Sequence, residues 1–321
     1  MRIPQTVTIS RFSIVYKNLK CKGENKMAFT SANFPAEMVK EVFVGAKGHS
    51  AIANLCGMTP IAFSGTDVMV FSFDGEANLV GEGEAKAAHT NGKDIVKIVP
   101  RKIEYGARVS DEFVRCSDEK KIEYLKAFNE GFEKKLARGL DIMAMHGVNP
   151  KTGVLATTLI GDNSFDTNDD VTSVTYNSAD PEGNIATAVS AIGDYDMNGV
   201  AMSKAFAAAL ASLKVNGVAQ YPELGWGAKA TAIKGVPVDI NSTVSFVDGE
   251  YAYAGDFANA FKWGYADKIN FEVIEYGNPD NSEAGDLKGH NQVYLRAEAW
   301  LGWAILDGSA FARIETTSSG S

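Results

Sequence analysis

The chain has 321 residues, of which 45% are hydrophobic, 22% are charged and 10% are aromatic, and its formal net charge is −9. This length and composition allow a large buried core, arranged as one domain or as two closely packed domains. No apolar run approaches the roughly 20 residues that span a bilayer, so no transmembrane helix is predicted. The acidic balance argues against broad contact with nucleic-acid phosphates, which requires a basic surface.

Positive charge is concentrated at the N-terminus. Residues 1–26 hold six basic side chains and one acidic side chain, a net charge of +5, whereas residues 27–321 sum to −14. Lys22-Gly-Glu-Asn-Lys26 is also what translation of a purine-rich ribosome-binding sequence produces, so we expect Met27 to be the true start. The alternative interpretation is a basic arm on the inner face of an assembly.

The first part of the chain predicts an extended arm and a long hairpin. A short helix is expected within the arm at residues 35–44. Residues 66–73 are rich in β-branched and aromatic side chains and predict a strand, with residues 93–105 as its partner. Each arm of the joining hairpin can reach roughly 40 Å at about 3.3 Å per residue. A hairpin of this length needs a second surface to cover it, most simply a neighbouring subunit.

A long amphipathic helix is predicted at residues 118–146. Apolar residues recur along it at spacings of three and four: Leu125, Phe128, Phe132, Leu136, Leu140 and Met143. They form one stripe over about seven turns, or some 40 Å at 1.5 Å per residue. Ser117 suits the N-cap of this helix, and Gly147 and Pro150 mark its end.

The second part of the chain mixes helices and strands. A polar loop region is expected at residues 155–179, helices near residues 182–192 and 203–215, and a strand, turn and strand over residues 230–245. Ser203 is the expected N-cap of the second helix, and Gly217 lies just past its expected end. From Val293 to Ile305, every second residue is apolar, and the residues between them include Tyr294, Arg296, Glu298, Trp300 and Gly302. This period of two predicts one long, half-buried strand.

The residue types of catalytic and metal sites do not cluster along the chain. The four histidines and three cysteines are isolated, which argues against a metal site or a disulfide framework. Gly81-Glu-Gly-Glu84 lacks the third glycine of a nucleotide-binding loop and lies in the predicted hairpin. We therefore predict no cofactor, no bound metal and no enzymatic activity.

Several segments stand in a distinctive order. They are Leu79–Lys86, Lys102–Glu112, residues 118–146, Met145–Val154, Gly235–Val238, Gly255–Phe257 and Asn291–Ile314. In this order they resemble the major capsid proteins of tailed bacteriophages with the HK97 fold. Each segment alone is a weak signal, and the shared order over residues 34–315 makes the resemblance specific.

The resemblance implies an α+β, HK97-like capsid fold with an N-terminal arm, an extended β-hairpin loop, a peripheral domain and an axial domain. The peripheral domain holds the long spine helix and the long-stranded sheet. The implied divisions are 1–26 (mis-assigned start or basic arm), 27–57 (arm), 58–112 (hairpin loop), 113–179 with 250–315 (peripheral domain), 180–249 (axial domain) and 316–321 (flexible tail).

The function that the resemblance implies is that of a major capsid protein. Such a protein self-assembles through pentamers and hexamers into an icosahedral shell around phage double-stranded DNA, which it encloses without sequence-specific binding. Expected partners are further copies of the chain, a portal protein and, because little sequence separates Met27 from the arm, a separate scaffolding protein. Assembly is expected in the bacterial host cytoplasm, without a membrane, and the product is the virion capsid. The alternatives are an encapsulin-like nanocompartment shell around an enzyme cargo and an uncharacterised enzyme with a deep pocket.

The resemblance also implies two sets of site residues. Glu82, Glu84, Lys86 and Lys93 are expected to make inter-subunit contacts from the hairpin loop. Some family members also join subunits by an isopeptide bond, in which a lysine attacks an asparagine amide with help from a glutamate. Asn291 and Glu298 stand at the matching positions, and Lys86 is the candidate lysine in the loop. Because residues 291 and 298 have opposite parity on a strand, they are expected to cooperate only across subunits.

Overall fold

A computed structural model describes residues 49–73, 82, 91–112, 118–267 and 269–316 of the chain. The predicted arm helix at 35–44, the N-cap Ser117 and most of the hairpin tip lie outside these residues. The α-helices in the described part are α1 (Ala51–Leu55), α2 (Asp118–His146), α3 (Pro181–Ala191) and α4 (Lys204–Ser212). The strands are β1 (Thr66–Phe73), β2 (Asn91–Ile98), β3 (Arg101–Ser110), β4 (Thr172–Thr175), β5 (Gly199–Met202), β6 (Lys214–Val215), β7 (Val218–Ala219), β8 (Ala232–Ile233), β9 (Val236–Ile240), β10 (Glu250–Gly255), β11 (Phe261–Tyr265), β12 (Asn270–Ile274), β13 (Gln292–Ile305) and β14 (Phe311–Glu315).

The long helix α2 is confirmed over its predicted length, and its apolar stripe is the face that packs. Phe132 and Leu136 lie against Phe271, Ala297 and Ala299 of the neighbouring sheet. Fully burying an aromatic or aliphatic side chain of this size contributes about 1.5–3 kcal/mol. The helix ends at Gly147, whose φ of +66° is favourable only without a Cβ, and whose amide donates to the carbonyl of Met143 at 3.0 Å.

A four-stranded sheet built around β13 lies beneath this helix. The strand β3 pairs along one edge of β13, and β12 and β11 share the other edge, all antiparallel. Val293, Leu295, Ala297 and Ala299 of β13 are buried. The predicted long strand is therefore confirmed, because its period of two places one apolar face against α2.

Residues 93–105 were predicted to form one strand that pairs with β1, but in the structure this part of the chain belongs to two strands. Residues 91–98 pair with β1, whereas residues 101–110 form β3 and pair with β13. The chain leaves the first sheet at Val99 and Pro100. Pro100 has no amide hydrogen to donate to a strand ladder, so the break falls where proline would interrupt pairing.

A mixed six-stranded sheet has the order β4-β14-β10-β5-β9-β8. It joins strands from both of the segments that were assigned to separate peripheral and axial domains. β10 of the first segment pairs with β5 of the second through Ala252–Met202 and the three following pairs. The described part of the chain therefore carries continuous hydrogen bonding across the predicted division at residues 180 and 249.

The helices beside this sheet differ in detail from the prediction. Ser203 caps α4 as expected, with its hydroxyl accepting from the amide of Phe206 at 3.2 Å, but the helix ends at Ser212 rather than at Val215. Lys214–Val215 and Val218–Ala219 instead form a two-stranded hairpin. Asn216 and Gly217, which both have positive φ, make its turn. Gly217, which was expected just past the end of a helix, is therefore part of a hairpin turn.

Candidate inter-subunit surfaces

The predicted loop contacts are only partly described by the structure. Glu84 and Lys86 lie outside the described residues, and Glu82 is exposed. Lys93 lies on β2, opposite Phe71 of β1. These four residues remain a prediction as inter-subunit contacts.

The base of the hairpin has one face packed on its own subunit and one face in solvent. Val68 and Val96, which are opposite each other, pack against the cluster of Ile61, Ile98 and Ala304. The next pair along, Met69 and Ile95, points to the other side, with 61% and 62% of the two residues exposed. An apolar cross-strand pair in water is unfavourable unless another surface covers it, so this face is a candidate contact with a second molecule.

The face of the four-stranded sheet that points away from α2 carries a row of ion pairs. Lys102 Nζ lies 2.6 Å from Glu298 Oε1, and Arg296 Nη2 lies 2.7 Å from Glu272 Oε2. Arg296 Nε also lies 3.6 Å from Glu298 Oε1. Glu298 is thus held between two cations of its own subunit, in a position set by the alternation of β13.

Asn291 and Glu298 are far apart within one subunit. Asn291 is exposed and has a left-handed backbone (φ 52°, ψ 48°) immediately before β13 begins. Seven residues of extended strand at about 3.3 Å each separate the two residues by roughly 23 Å. Lys86 lies outside the described residues, so the structure does not assemble the cross-linking set in a single subunit.

A guanidinium clasp, which the sequence did not suggest, closes the end of the same sheet. Arg108 of β3 donates from Nε and Nη2 to the two carboxylate oxygens of Asp280, at 2.8 and 2.6 Å. Its Nη2 also donates to Asn278 Oδ1 and to the carbonyl of Gly285. The hydrogen bond from Arg108 holds the pKa of Asp280 well below its usual range. The clasp orders the loop between β12 and β13, and no local pattern could have matched Arg108 to a carboxylate so distant in sequence.

A buried carboxylate joins the start of the described chain to the body. Asp141 of α2 accepts from the hydroxyls of Ser50 and Thr243, at 2.5 and 2.7 Å, and from the amides of Ala51 and Ile52. Burial raises the pKa of Asp141 to about 6, although these four hydrogen bonds favour the ionised form. The described end of the predicted arm is therefore fixed to the long helix by a specific polar contact.

A second buried polar cluster lies at the end of α2. His146 Nδ1 is 2.7 Å from Asp166 Oδ2, and its Nε2 is 2.8 Å from the carbonyl oxygen of Thr243. Tyr253 donates its hydroxyl hydrogen to the other oxygen of Asp166 at 2.7 Å. These contacts connect α2 to the six-stranded sheet, and each polar group has a structural partner.

Metal sites and membrane-spanning helices are two other features that a fold can carry. The residues that the structure describes contain no group of three or more histidine, cysteine, aspartate or glutamate side chains placed to hold a metal ion. None of the helices described is both long and apolar enough to cross a membrane. The exposed Met69–Ile95 pair and the ion-paired face of the four-stranded sheet are surfaces that suit contact between macromolecules.

Comparison with known protein families decides the class of molecule. Residues 33–316 match the family described as the phage capsid family. The chain belongs to the phage capsid family. It is a major capsid protein, a structural subunit of a homo-oligomeric, icosahedral capsid shell in the virion. The family match supports this role and does not support the nanocompartment alternative.

Solved structures support the HK97-like fold. A structure from Mycobacterium phage Ogopogo matches with a TM-score of 0.70 at 27% identity, covering 84% of this chain and 92% of that chain. One from Gordonia phage Cozz matches with a TM-score of 0.67 at 22% identity and 99% coverage of both chains. The capsid of a native GTA particle matches with a TM-score of 0.58 at 13% identity, covering 96% and 98%. No curated protein sequence matches the chain significantly.

Proposed function

We propose that this capsid subunit assembles through pentamers and hexamers, and that the resulting shell encloses double-stranded phage DNA. The proposal of ring and shell assembly rests on the exposed Met69–Ile95 pair, which is an apolar surface on the side of the hairpin that its own subunit does not cover. Closed symmetry brings such a surface against a neighbour in every copy, so that modest contacts act together.

The subunit is proposed to be divided as the family resemblance implies. Residues 27–57 form the arm, 58–112 the hairpin loop, 113–179 with 250–315 the peripheral domain, 180–249 the axial domain and 316–321 the tail. The hydrogen bonds between β10 and β5 support a stiff joint between the peripheral and axial parts rather than a hinge.

The DNA is proposed to be confined without sequence-specific binding. A net charge of −9 repels phosphates, so packaged DNA is held by enclosure and not by adhesion to the wall. A portal protein and a separate scaffolding protein are the proposed partners, with assembly in the host cytoplasm.

The subunits are proposed to be held together without covalent bonds. Glu298 is already paired with Lys102 and Arg296, and roughly 23 Å of strand separates it from Asn291. Lys86, Asn291 and Glu298 can meet only if different copies supply them. Shells boiled in SDS should run near 34 kDa, whereas a ladder that Asn291→Ala abolishes would establish the cross-link instead.

The shell-forming proposal is tested by size-exclusion chromatography of the full chain followed by negative-stain electron microscopy. Hollow shells, or rings of five and six subunits, are expected in the early fractions. The matched variant Met69→Asp with Ile95→Asp should elute as a folded species near 34 kDa, with the circular dichroism of the parent. A parent that stays near 34 kDa under all salt conditions, with and without co-expressed scaffolding protein, would contradict the proposal.

A further inference from the structure

Trp226 is held on the surface by an unusual backbone. It lies in the 3-10 segment Pro222–Gly227 with φ 60° and ψ 22°, in the left-handed region, and Gly227 follows with φ 73°. A residue with a Cβ disfavours this conformation by roughly 1–2 kcal/mol. The Trp226 side chain is also fully exposed to solvent. The chain therefore accepts both backbone strain and apolar exposure at one position, which points to a function for this side chain.

An apolar cleft opens on the same part of the subunit. It has a volume of about 260 Å³ and lies between α3 and the strands β5 and β9. Its walls include Ile185, Met197, Val200, Met202, Val236 and Val238. The volume lies just below the roughly 300–1,000 Å³ of sites for whole small molecules, and it suits one large side chain.

The rim of this cleft is polar and has the chemistry that an indole ring requires. Lys234 Nζ lies 2.5 Å from Glu182 Oε1 and 5.0 Å from the centre of the Tyr221 ring. Hydrogen bonding to Glu182 raises the pKa of Lys234, and the bond from Lys234 lowers that of Glu182, so the two groups stay charged. The Glu182 carboxylate can accept the indole N–H hydrogen, while the Lys234 ammonium can lie over an aromatic face.

The cleft is not filled by the tryptophan of its own chain. Trp226 follows Tyr221 of the rim by five residues, but it is absent from the lining and fully exposed. Each subunit thus presents both the uncovered Trp226 side chain and an uncovered apolar cleft. Because Trp226 and the cleft are different surfaces of the same subunit, a contact between them would join copies head to tail. Such contacts close into a ring when the rotation from one subunit to the next is a whole fraction of a turn.

We propose that Trp226 of one copy inserts into the cleft of the next copy around a pentamer or hexamer. The proposal rests on the ring assembly proposed above and names the contact that closes each ring. Interfaces commonly concentrate their binding free energy in one buried aromatic anchor of this kind.

Disulfide trapping tests this contact in assembled particles. Trp226→Cys is combined with Ala186→Cys, an exposed position in the lining of the cleft, after Cys21→Ser and Cys116→Ser remove two native thiols. Oxidation should give a ladder on a non-reducing gel that ends at five or six subunits. Trp226→Cys with Thr187→Cys is the matched control, since Thr187 lies about 100° further round the helix and outside the cleft, and it should give no ladder.

Trp226 substitutions in the native background keep the test independent of cysteine geometry. Trp226→Ala should lower the yield of rings and shells more than about tenfold, and Trp226→Phe should restore much of it. Equal assembly of Trp226→Ala and the parent, or a ladder of equal strength in both cysteine pairs, would overturn the contact while leaving ring assembly intact. A parent that forms no rings or shells would overturn both proposals.

Discussion

Two regions of the subunit differ in how far their apolar side chains are buried. In the helix–sheet body, formed by α2 with β3, β11, β12 and β13, the apolar faces of helix and sheet cover each other. In the docking elements, formed by the hairpin β1–β2 and by residues 214–227, Met69, Ile95 and Trp226 stand in solvent. The difference teaches that the body can fold on its own contacts, whereas we expect the docking elements to be covered by neighbouring copies in the assembled shell.

The helix–sheet body should be the region where a single substitution costs most stability. Phe132→Ala removes a fully buried ring that meets Phe271 edge-to-face, and the expected loss is about 3–5 kcal/mol in the free energy of unfolding. Ile122→Ala on the exposed side of the same helix is the control, with an expected loss below about 1 kcal/mol. Urea denaturation of the unassembled subunit measures both. Similar losses for the two variants would break the contrast between buried and exposed faces.

The six-stranded sheet should respond to pH at Glu250, which lies on β10 opposite Glu315 of β14. Burial, together with the nearby Asp166 and Glu315, raises the pKa of Glu250 to about 9. The folded state thus holds a proton that the unfolded chain releases near its ordinary pKa of 4.5, so stability falls as the pH rises from about 4.5 towards 9. Glu250→Gln should raise the melting temperature at pH 8 and have little effect at pH 4.

Melting curves across this pH range decide the point, with Glu223→Gln at an exposed position as the control. The control should have the melting profile of the parent throughout. If Glu250→Gln were neutral or destabilising at pH 8, Glu250 would not be a protonated buried group.

The hairpin should affect assembly and not folding. Met69→Ser with Ile95→Ser makes the exposed pair polar and should reduce shell yield about tenfold, which corresponds to about 1.4 kcal/mol at the contact. Unfolding of the free subunit should change by less than about 0.5 kcal/mol, because both side chains are already in water. Light scattering during assembly and urea denaturation make the two measurements. A variant that unfolds easily but assembles normally would reverse the roles assigned to the two regions.

The ion pairs on the outer face of the sheet should matter least. Lys102→Met removes the 2.6 Å contact with Glu298, but 44% of the lysine side chain is exposed, and a pair at the surface contributes about 0.2–1 kcal/mol. Urea denaturation at low and high salt should show a small loss that salt reduces further. A loss above about 2 kcal/mol would mean that this charged face is a structural part of the body.

The long helix and the long strand were predictable from sequence because their apolar residues recur at the spacing of a helix or of a strand over many residues. The stripe from Leu125 to Met143 located α2, and the alternation after Asn291 located β13. The break at Pro100 was not predicted, and Gly217 was placed just past a helix end rather than in a hairpin turn. Strand pairing depends on contacts distant in sequence, so the separate partners of β2 and β3 followed only from the structure.

The candidate contact surfaces were less predictable. Nothing local distinguishes Trp226 from a core tryptophan such as Trp263, and only three-dimensional packing shows that one is exposed and the other buried. The carboxylate of Asp141 and the clasp of Arg108 likewise depend on partners about 90 or more residues away. The family resemblance anticipated the shell function, but the surfaces that the subunit leaves uncovered had to be read from its packing.

A cryo-electron microscopy structure of the assembled shell tests the central claim most directly. We expect Met69, Ile95 and Trp226 to be buried against neighbouring copies, while α2 keeps its packing on β13. A closed shell in which these three side chains remain in solvent would contradict the account.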